Sequence, residues 1–256
     1  MELRRTFDED AANYDRYRPG YPPELFEEIT RYAALGPESR ALEIGIGTGQ
    51  ATSPILKTGC RVTAIELGEN LSRFARKNFS GESGLEIITG DFITLPLSHN
   101  SYDLIYCATA FHWLPEEVAY PKILSILRPG GAVALFWNHP FPNREGDSTN
   151  DINRKVYHKY RPSDEKAREF SDRDCEARIA ELQEYGFRDI TCNIYRRVRT
   201  LTSDDYIGLL NTYSDHRAMD PTAKAAFERE MKDLLDQTGG FIRIYDTIDL
   251  YLARRP

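Results

Sequence analysis

The chain has four cysteines in 256 residues, and Cys60, Cys107, Cys175 and Cys192 form no Cys-x-x-Cys pair and have no histidine at ligand spacing. That scatter excludes a zinc site and a disulfide framework, so reduced thiols in a core are expected and no metal cofactor is. Long apolar runs are missing too: nothing approaches the ~20 residues of a membrane-spanning helix. Met1 to Asp10 alternates charges where a secretory leader would be apolar. The expectation is a cytoplasmic chain with no membrane insertion. Nor is there an excess of positive charge: 33 Lys and Arg stand against 40 Asp and Glu, a net charge of −7. A global electrostatic drive toward nucleic acid or anionic membrane is therefore absent.

Internal repeats and low-complexity tracts are also lacking. What is present is a 41% hydrophobic chain, enough for one sizeable core and a small subdomain. Gly and Pro punctuate it into short apolar runs separated by helical patterns, an α/β rhythm. Pro22 and Pro23 open a helix with Leu25, Phe26, Ile29, Tyr32 and Ala33 on one face, stopped by Gly36 and Pro37. Strands are read at Ala41 to Ile46, Val62 to Ile65, Leu85 to Ile88, Tyr102 to Ala108 and Ala132 to Trp137. Helical intervals at Leu71 to Phe79 and Pro121 to Leu127 make right-handed crossovers and a mainly parallel, doubly wound sheet the economical arrangement. Functional groups should collect at the strands' carboxyl ends.

The Pro-, Asn-, Asp- and Gly-rich segment Asn138 to Asp151 reads as a loop. Beyond it Ala177 to Tyr185 reads as a helix, and Ile190 to Leu201 and Phe241 to Leu252 as strands. Two helices are expected between those strands, one capped near Ser203 and Asp204, the other by Asp220 before Pro221. This helical elaboration in the C-terminal half reads as a lid or substrate-side addition. The division expected is residues 1–36 as an N-terminal arm and first helix, 37–138 as a ligand-binding core, and 139–256 as completion of the sheet with helical insertions.

Glu43, Gly45, Gly47 and Gly49 spell E-x-G-x-G-x-G where the first strand should turn into a helix. Glycines let the backbone bend tightly and approach a ligand, and amides of the following helix offer hydrogen bonds. The spacing departs from the G-x-G-x-x-G dinucleotide fingerprint: Gln50 stands where a third glycine would follow Gly45, which weakens an oxidoreductase reading. Glu66, seventeen residues past Gly49, sits at the tip of the second strand, where a carboxylate can accept both hydroxyls of a ribose. Asp91 ends the third strand and could accept from an adenine amino group. Phe92 beside it is a backbone or apolar contact, or core.

These stations, with Tyr102 to Pro115 (YDLIYCATAFHWLP) and Leu127 to Gly131 (LRPGG), resemble the class I S-adenosylmethionine-dependent methyltransferases. The nearest likeness is to the small-molecule branch called type 11, which also resembles trans-aconitate and ubiquinone/menaquinone-pathway methyltransferases. The resemblance covers roughly residues 8 to 138. It implies a Rossmann-like sheet of seven strands with the last antiparallel, S-adenosylmethionine as methyl donor, and S-adenosylhomocysteine as product. It also implies that Gly45, Gly47 and Gly49 approach the methionine part of the cofactor, with Glu43 ordering the loop. Glu66 matches the ribose acid, Asp91 and Phe92 the adenine-side pair, and Ala108 and Thr109 lie near the sulfonium.

A methyl acceptor with a hydroxyl or acidic carbon would be helped by a general base. His112 is the candidate, though Phe111, Trp113 and Leu114 make its segment apolar and a local hydrogen-bonding role is the alternative. Tyr14, Tyr17 and Arg18 read either as a lid able to grip a carboxylate or as a tethered arm. Trp113, and Tyr213, His216 and Arg217, are further acceptor-side candidates. Arg154, Lys155, His158, Lys159 and Arg161, interleaved with Tyr157 and Tyr160, raise the alternative of a nucleic-acid methyltransferase. Acidic flanks favour a solvated helix there and a small-molecule acceptor. A non-catalytic S-adenosylmethionine-binding protein is the other alternative.

Overall fold

The computed structural model describes residues 3–163 and 167–256. Met1 and Glu2 of the expected arm, and residues 164–166 of the expected C-terminal part, lie outside the described residues. The strands are β1 (Arg40–Ile44), β2 (Arg61–Glu66), β3 (Leu85–Thr89), β4 (Tyr102–Ala108), β5 (Leu127–Phe141), β6 (Arg188–Thr202) and β7 (Phe241–Arg254). They form a seven-stranded sheet in the order β3-β2-β1-β4-β5-β7-β6. Parallel pairing joins β1 to β2 and β4, β2 to β3, and β4 to β5, with Leu42 opposite Thr63 on one side and Ile105 on the other. The sheet is mainly parallel with one antiparallel strand, and β7, last in sequence, is inserted between β5 and β6. Leu104 to Cys107 are fully buried, which is why β4 reads as an unbroken apolar run: a parallel strand covered on both faces has no polar side. Strand order reverses between β1 and β4, and in open α/β sheets ligands bind at the carboxyl ends of the strands flanking such a switch point.

Two compact units divide the chain. The larger comprises Pro19–Asn138, Asp172–Tyr195 and Ile248–Pro256; the smaller comprises Met1–Arg18, His139–Ser171 and Arg196–Thr247. In the larger unit the helix Pro23–Ala33 starts on a proline, whose fixed φ suits a first turn. It buries Leu25, Phe26 and Ile29 in a core with Ala41, Val62, Leu104, Tyr106 and Phe136. Each such side chain contributes roughly 1.5–3 kcal/mol by leaving water. The helix ends at Ala33 because Ala34 turns left-handed (φ +48°), two residues before the expected stop at Gly36. The smaller unit packs Val156, Tyr206, Leu209, Phe227, Met231 and Ile242 into its own core. These come from the helices Ser148–Tyr160, Ser203–Leu210 and Pro221–Gln237 and from β7.

Several local expectations are corrected. Asn138 to Asp151 is not one loop: β5 runs to Phe141 and a helix starts at Ser148. Its polar residues are structural. Asp147 caps the helix by accepting from the Thr149 amide (2.9 Å), while buried Asn150 and Asn153 donate to the carbonyls of Arg243 (2.8 Å) and Pro142 (3.0 Å). The helix expected from Pro121 begins at Glu116, after Pro115 in extended conformation at its N-cap, and carries Pro121 inside it. Thr202, rather than Ser203 or Asp204, caps the next helix, its side chain accepting from the Asp205 amide. A short helix, Ser214–Arg217, stands between the two expected there. The Asp220 cap before Pro221 is as expected, accepting from the Thr222 and Ala223 amides. Among the described residues no helix is long and apolar enough to cross a membrane.

Candidate active site

The loop after β1 holds Gly45, Gly47 and Gly49 at φ +76°, +59° and +103°. At two of these positions a side chain is excluded twice over. A Cβ on Gly45 would stand 2.9 Å from that of Ala110, and one on Gly49 would enter the Phe79 ring. The loop is tied down by acids on both sides. Glu66, at the end of β2 and 8% exposed, accepts from the Gly47 amide through Oε2 (2.8 Å) and from the Gly68 amide through Oε1 (2.9 Å). Glu43 lies in the interior, where its Oε2 accepts from Thr52 Oγ1 (2.7 Å) and the Tyr106 hydroxyl (2.8 Å). Burial pushes its carboxyl up to about 7, against the pull of those two hydrogen bonds. Its Oε1 is buried without a partner. Glu43 therefore supports the loop and is not presented to a ligand.

At the end of β3, Asp91 organises a turn: its Oδ1 accepts from the Ile93 amide (2.9 Å) and its carbonyl from the amides of Thr94 (3.1 Å) and Leu95 (2.9 Å). Phe92 is buried. Lys122, which sequence reasoning missed, locks this turn by donating to the carbonyls of Phe92 (2.5 Å), Ile93 (3.1 Å) and Leu95 (2.5 Å), its ammonium 5.0 Å from the Phe92 ring. Nothing in its spacing marked it.

Past the end of β4, Thr109 follows Ala108 in a left-handed conformation (φ +53°), rare for a β-branched residue. It is held there by its amide bond to the Phe136 carbonyl (2.8 Å) and by the 2.7 Å bond between its hydroxyl and that of Tyr21. Tyr21 was also missed as a functional candidate. His112 is exposed in the short turn Phe111–Trp113, with the Trp113 ring centre 4.9 Å from its own. Its Nδ1 accepts from Trp137 Nε1 at 3.0 Å. The indole of Trp137 lies 5.1 Å from the Arg178 guanidinium, which binds Glu116 (2.9 Å) and the Tyr120 hydroxyl (3.0 Å). Among the described residues no three His, Cys, Asp or Glu side chains gather as a metal site.

The arm and late-helix candidates belong to the smaller unit, where Tyr14, Arg18 and Tyr213 are brought together. The others are engaged in packing or pairing. Tyr17 lies against Gly208, where any side chain would collide with its ring. Arg217 pairs with Glu9 (3.0 Å). His216 is buried, its Nε2 bonded to the Tyr157 hydroxyl (2.7 Å) and its pKa lowered by burial to about 4.

Residues 42–135 match a methyltransferase domain model. An uncharacterized methyltransferase of Schizosaccharomyces pombe is 25% identical over 234 residues, covering 91% of this chain and 88% of its own. One from a Geobacillus species is 33% identical over 153 residues, covering 56% of this chain and 70% of its own. The chain belongs to the class I S-adenosylmethionine-dependent methyltransferases. Several further curated relatives are matched over only about half their own length. The fold is also that of a phosphoethanolamine N-methyltransferase from Haemonchus contortus, solved with phosphomonomethylethanolamine and S-adenosylhomocysteine. There the TM-score is 0.56 at 17% identity, with 97% of this chain and 57% of that one covered.

This methyltransferase thus takes S-adenosylmethionine as its cofactor. Its residues fit one: left-handed glycines at 45, 47 and 49 shape the loop after β1, and the Glu66 carboxylate meets that loop from the end of β2. Glu66 presents at that loop a carboxylate, the acceptor chemistry that a ribose diol calls for.

Proposed function

We propose that this methyltransferase transfers the methyl group to a small-molecule acceptor by direct in-line displacement. In this reading the larger unit binds the cofactor. S-adenosylmethionine supplies a sulfonium methyl with a neutral leaving group, so the protein has chiefly to align the acceptor and exclude water. Gly45, Gly47 and Gly49 admit the methionine end, Glu66 accepts from the ribose hydroxyls, and Asp91 with Phe92 receives the adenine. Ala108 and Thr109 border the sulfonium end. His112 acts as a hydrogen-bond donor at the acceptor side: with Nδ1 accepting from Trp137, the proton of the neutral ring sits on Nε2.

The observation that carries the small-molecule reading is the pairing of three cations of the basic stretch with carboxylates. Arg154 pairs with Asp151, Lys159 with Glu230 and Arg161 with Asp215. Cations so matched release few counterions and give weak purchase on a polyanion. A neighbouring fold that holds phosphomonomethylethanolamine supports the same reading.

Calorimetry and a labelled-methyl assay test it. S-adenosylhomocysteine should bind and NAD should not, and labelled methyl should enter a low-molecular-weight metabolite fraction. Label in RNA, with salt-sensitive RNA binding, would overturn the acceptor class; binding of NAD alone would overturn the cofactor.

A further inference from the structure

In the larger unit, three backbone carbonyls of one turn converge on a single side chain. Lys122, from the helix Glu116–Ile126, donates to the carbonyls of Phe92 (2.5 Å), Ile93 (3.1 Å) and Leu95 (2.5 Å). An ammonium has three N–H donors, so all are taken by the protein. The amides of the same turn are spent on Asp91: Ile93 donates to its Oδ1 (2.9 Å), and Thr94 (3.1 Å) and Leu95 (2.9 Å) to its carbonyl. Just before the turn, the Gly90 amide donates to the Glu66 carbonyl (2.8 Å). Burial lowers the pKa of Lys122 against the pull of the Asp91 carboxylate. Carbonyl oxygens gathered around one point repel one another unless a cation stands between them, so the shape of this turn depends on Lys122.

The turn carries Asp91 and Phe92, and this inference rests on reading that pair as the adenine side. Adenine would offer its amino N–H to the Asp91 carboxylate. Hypoxanthine has a carbonyl oxygen in that place and a ring N–H one atom away. A turn free to shift can follow the displaced N–H, whereas a turn pinned at three carbonyls leaves oxygen facing carboxylate. We propose that Lys122 is a positioning residue that sets the base selectivity of the cofactor site, by holding Asp91 where an adenine amino group meets it and a hypoxanthine does not. Its donors are spent on the turn, so it acts through Asp91 and Phe92. Discrimination of this kind is steep, because the wrong base leaves a buried polar group unpaired.

The test is calorimetry on the 256-residue protein with S-adenosylhomocysteine and with S-inosylhomocysteine, which carries an oxo group in place of the adenine amino group. The wild type should favour the adenine ligand by about tenfold or more, the worth of a hydrogen bond to a charged group. Lys122→Met keeps the stem and removes the three donors. It should bind the adenine ligand about tenfold more weakly and hold a preference of about twofold or less. Lys122→Arg retains a cation with donors and should keep more of the preference, and Lys122→Gln serves as the readout if Lys122→Met does not fold. A merely structural role would weaken both ligands alike, and an unchanged ratio in the folded variants therefore overturns the proposal. Asp91→Ala is the control and should erase the preference. If the wild type has no preference, or Asp91→Ala keeps it, the adenine reading fails and this inference falls with it. If Asp91→Ala loses the preference while the Lys122 variants keep it, the inference alone is overturned.

Discussion

The indole N–H of Trp137 donates to Nδ1 of His112 at 3.0 Å, tying an exposed histidine beyond the end of β4 to a side chain of β5. Trp137 is itself fixed, its amide bonded to Asp249 (3.1 Å) and its ring beneath Arg178. A general base would need the Nε2 lone pair, and this tautomer puts a proton there instead. The expected outcome is that His112→Gln, whose amide can donate from about the position of Nε2, keeps more kcat than His112→Asn or His112→Ala. A base would be lost alike in all three, by roughly 10²–10⁴-fold. Labelled-methyl transfer into the responding metabolite fraction measures the difference, and equal losses would restore the base role.

Glu66 joins the loop after β1 to the turn after β2 through two amide bonds from one carboxylate. Hydrogen bonds to a charged group contribute about 1.5–3 kcal/mol each. Glu66→Ala should therefore weaken S-adenosylhomocysteine binding by at least about tenfold, or about 1.4 kcal/mol. Glu66→Gln should weaken it similarly, because its amide nitrogen must turn one donor toward another. Calorimetry decides, with far-ultraviolet circular dichroism confirming that both variants fold; unchanged affinity would remove Glu66 from the cofactor site.

Gly49 has φ +103°, and its missing Cβ leaves room for the Phe79 ring. Gly49→Ala meets both obstacles, and a disfavoured backbone alone costs about 1–3 kcal/mol. The melting temperature should fall, and adding Phe79→Leu should restore only part of it, since the ring can be removed while the backbone conformation stays. Full recovery in the double variant would show that the collision alone matters.

The parallel core was legible because its strands are covered on both faces and read as continuous apolar runs, as at Leu104 to Cys107. The glycine loop was legible because positive φ at Gly45 and Gly49 restricts the residue choice. Lys122, Tyr21 and the Trp137–His112 bond were not, because each is defined by partners distant in sequence and by no periodicity of its own. Thr109 is the sharpest case: a β-branched residue at φ +53° carries no local sign of that conformation and depends on Tyr21 and Phe136 to hold it. The segment after Asn138 misled for a related reason. Asn150 and Asn153 look like loop residues, yet they are buried helix residues whose amides bind backbone carbonyls across the smaller unit.

Glu43 makes stability depend on pH. Burial raises its carboxyl from 4.5 to about 7, so the folded state holds a proton that the unfolded state has released over that interval. A group whose pKa is raised on folding contributes stability that is complete below about 4.5 and is lost as pH climbs through about 7. At about 1.4 kcal/mol per pKa unit, the swing is of order 3 kcal/mol. Glu43→Gln keeps an acceptor for Thr52 and Tyr106 and cannot ionise, so its melting temperature should gain on the wild type as pH rises from 5 to 8. Glu181 is also pushed up to about 7 by burial, so the wild-type curve alone cannot isolate one carboxyl; the difference between wild type and Glu43→Gln does. Parallel curves across that range would mean that Glu43 stays ionised in the core, its charge carried by the hydroxyls of Thr52 and Tyr106.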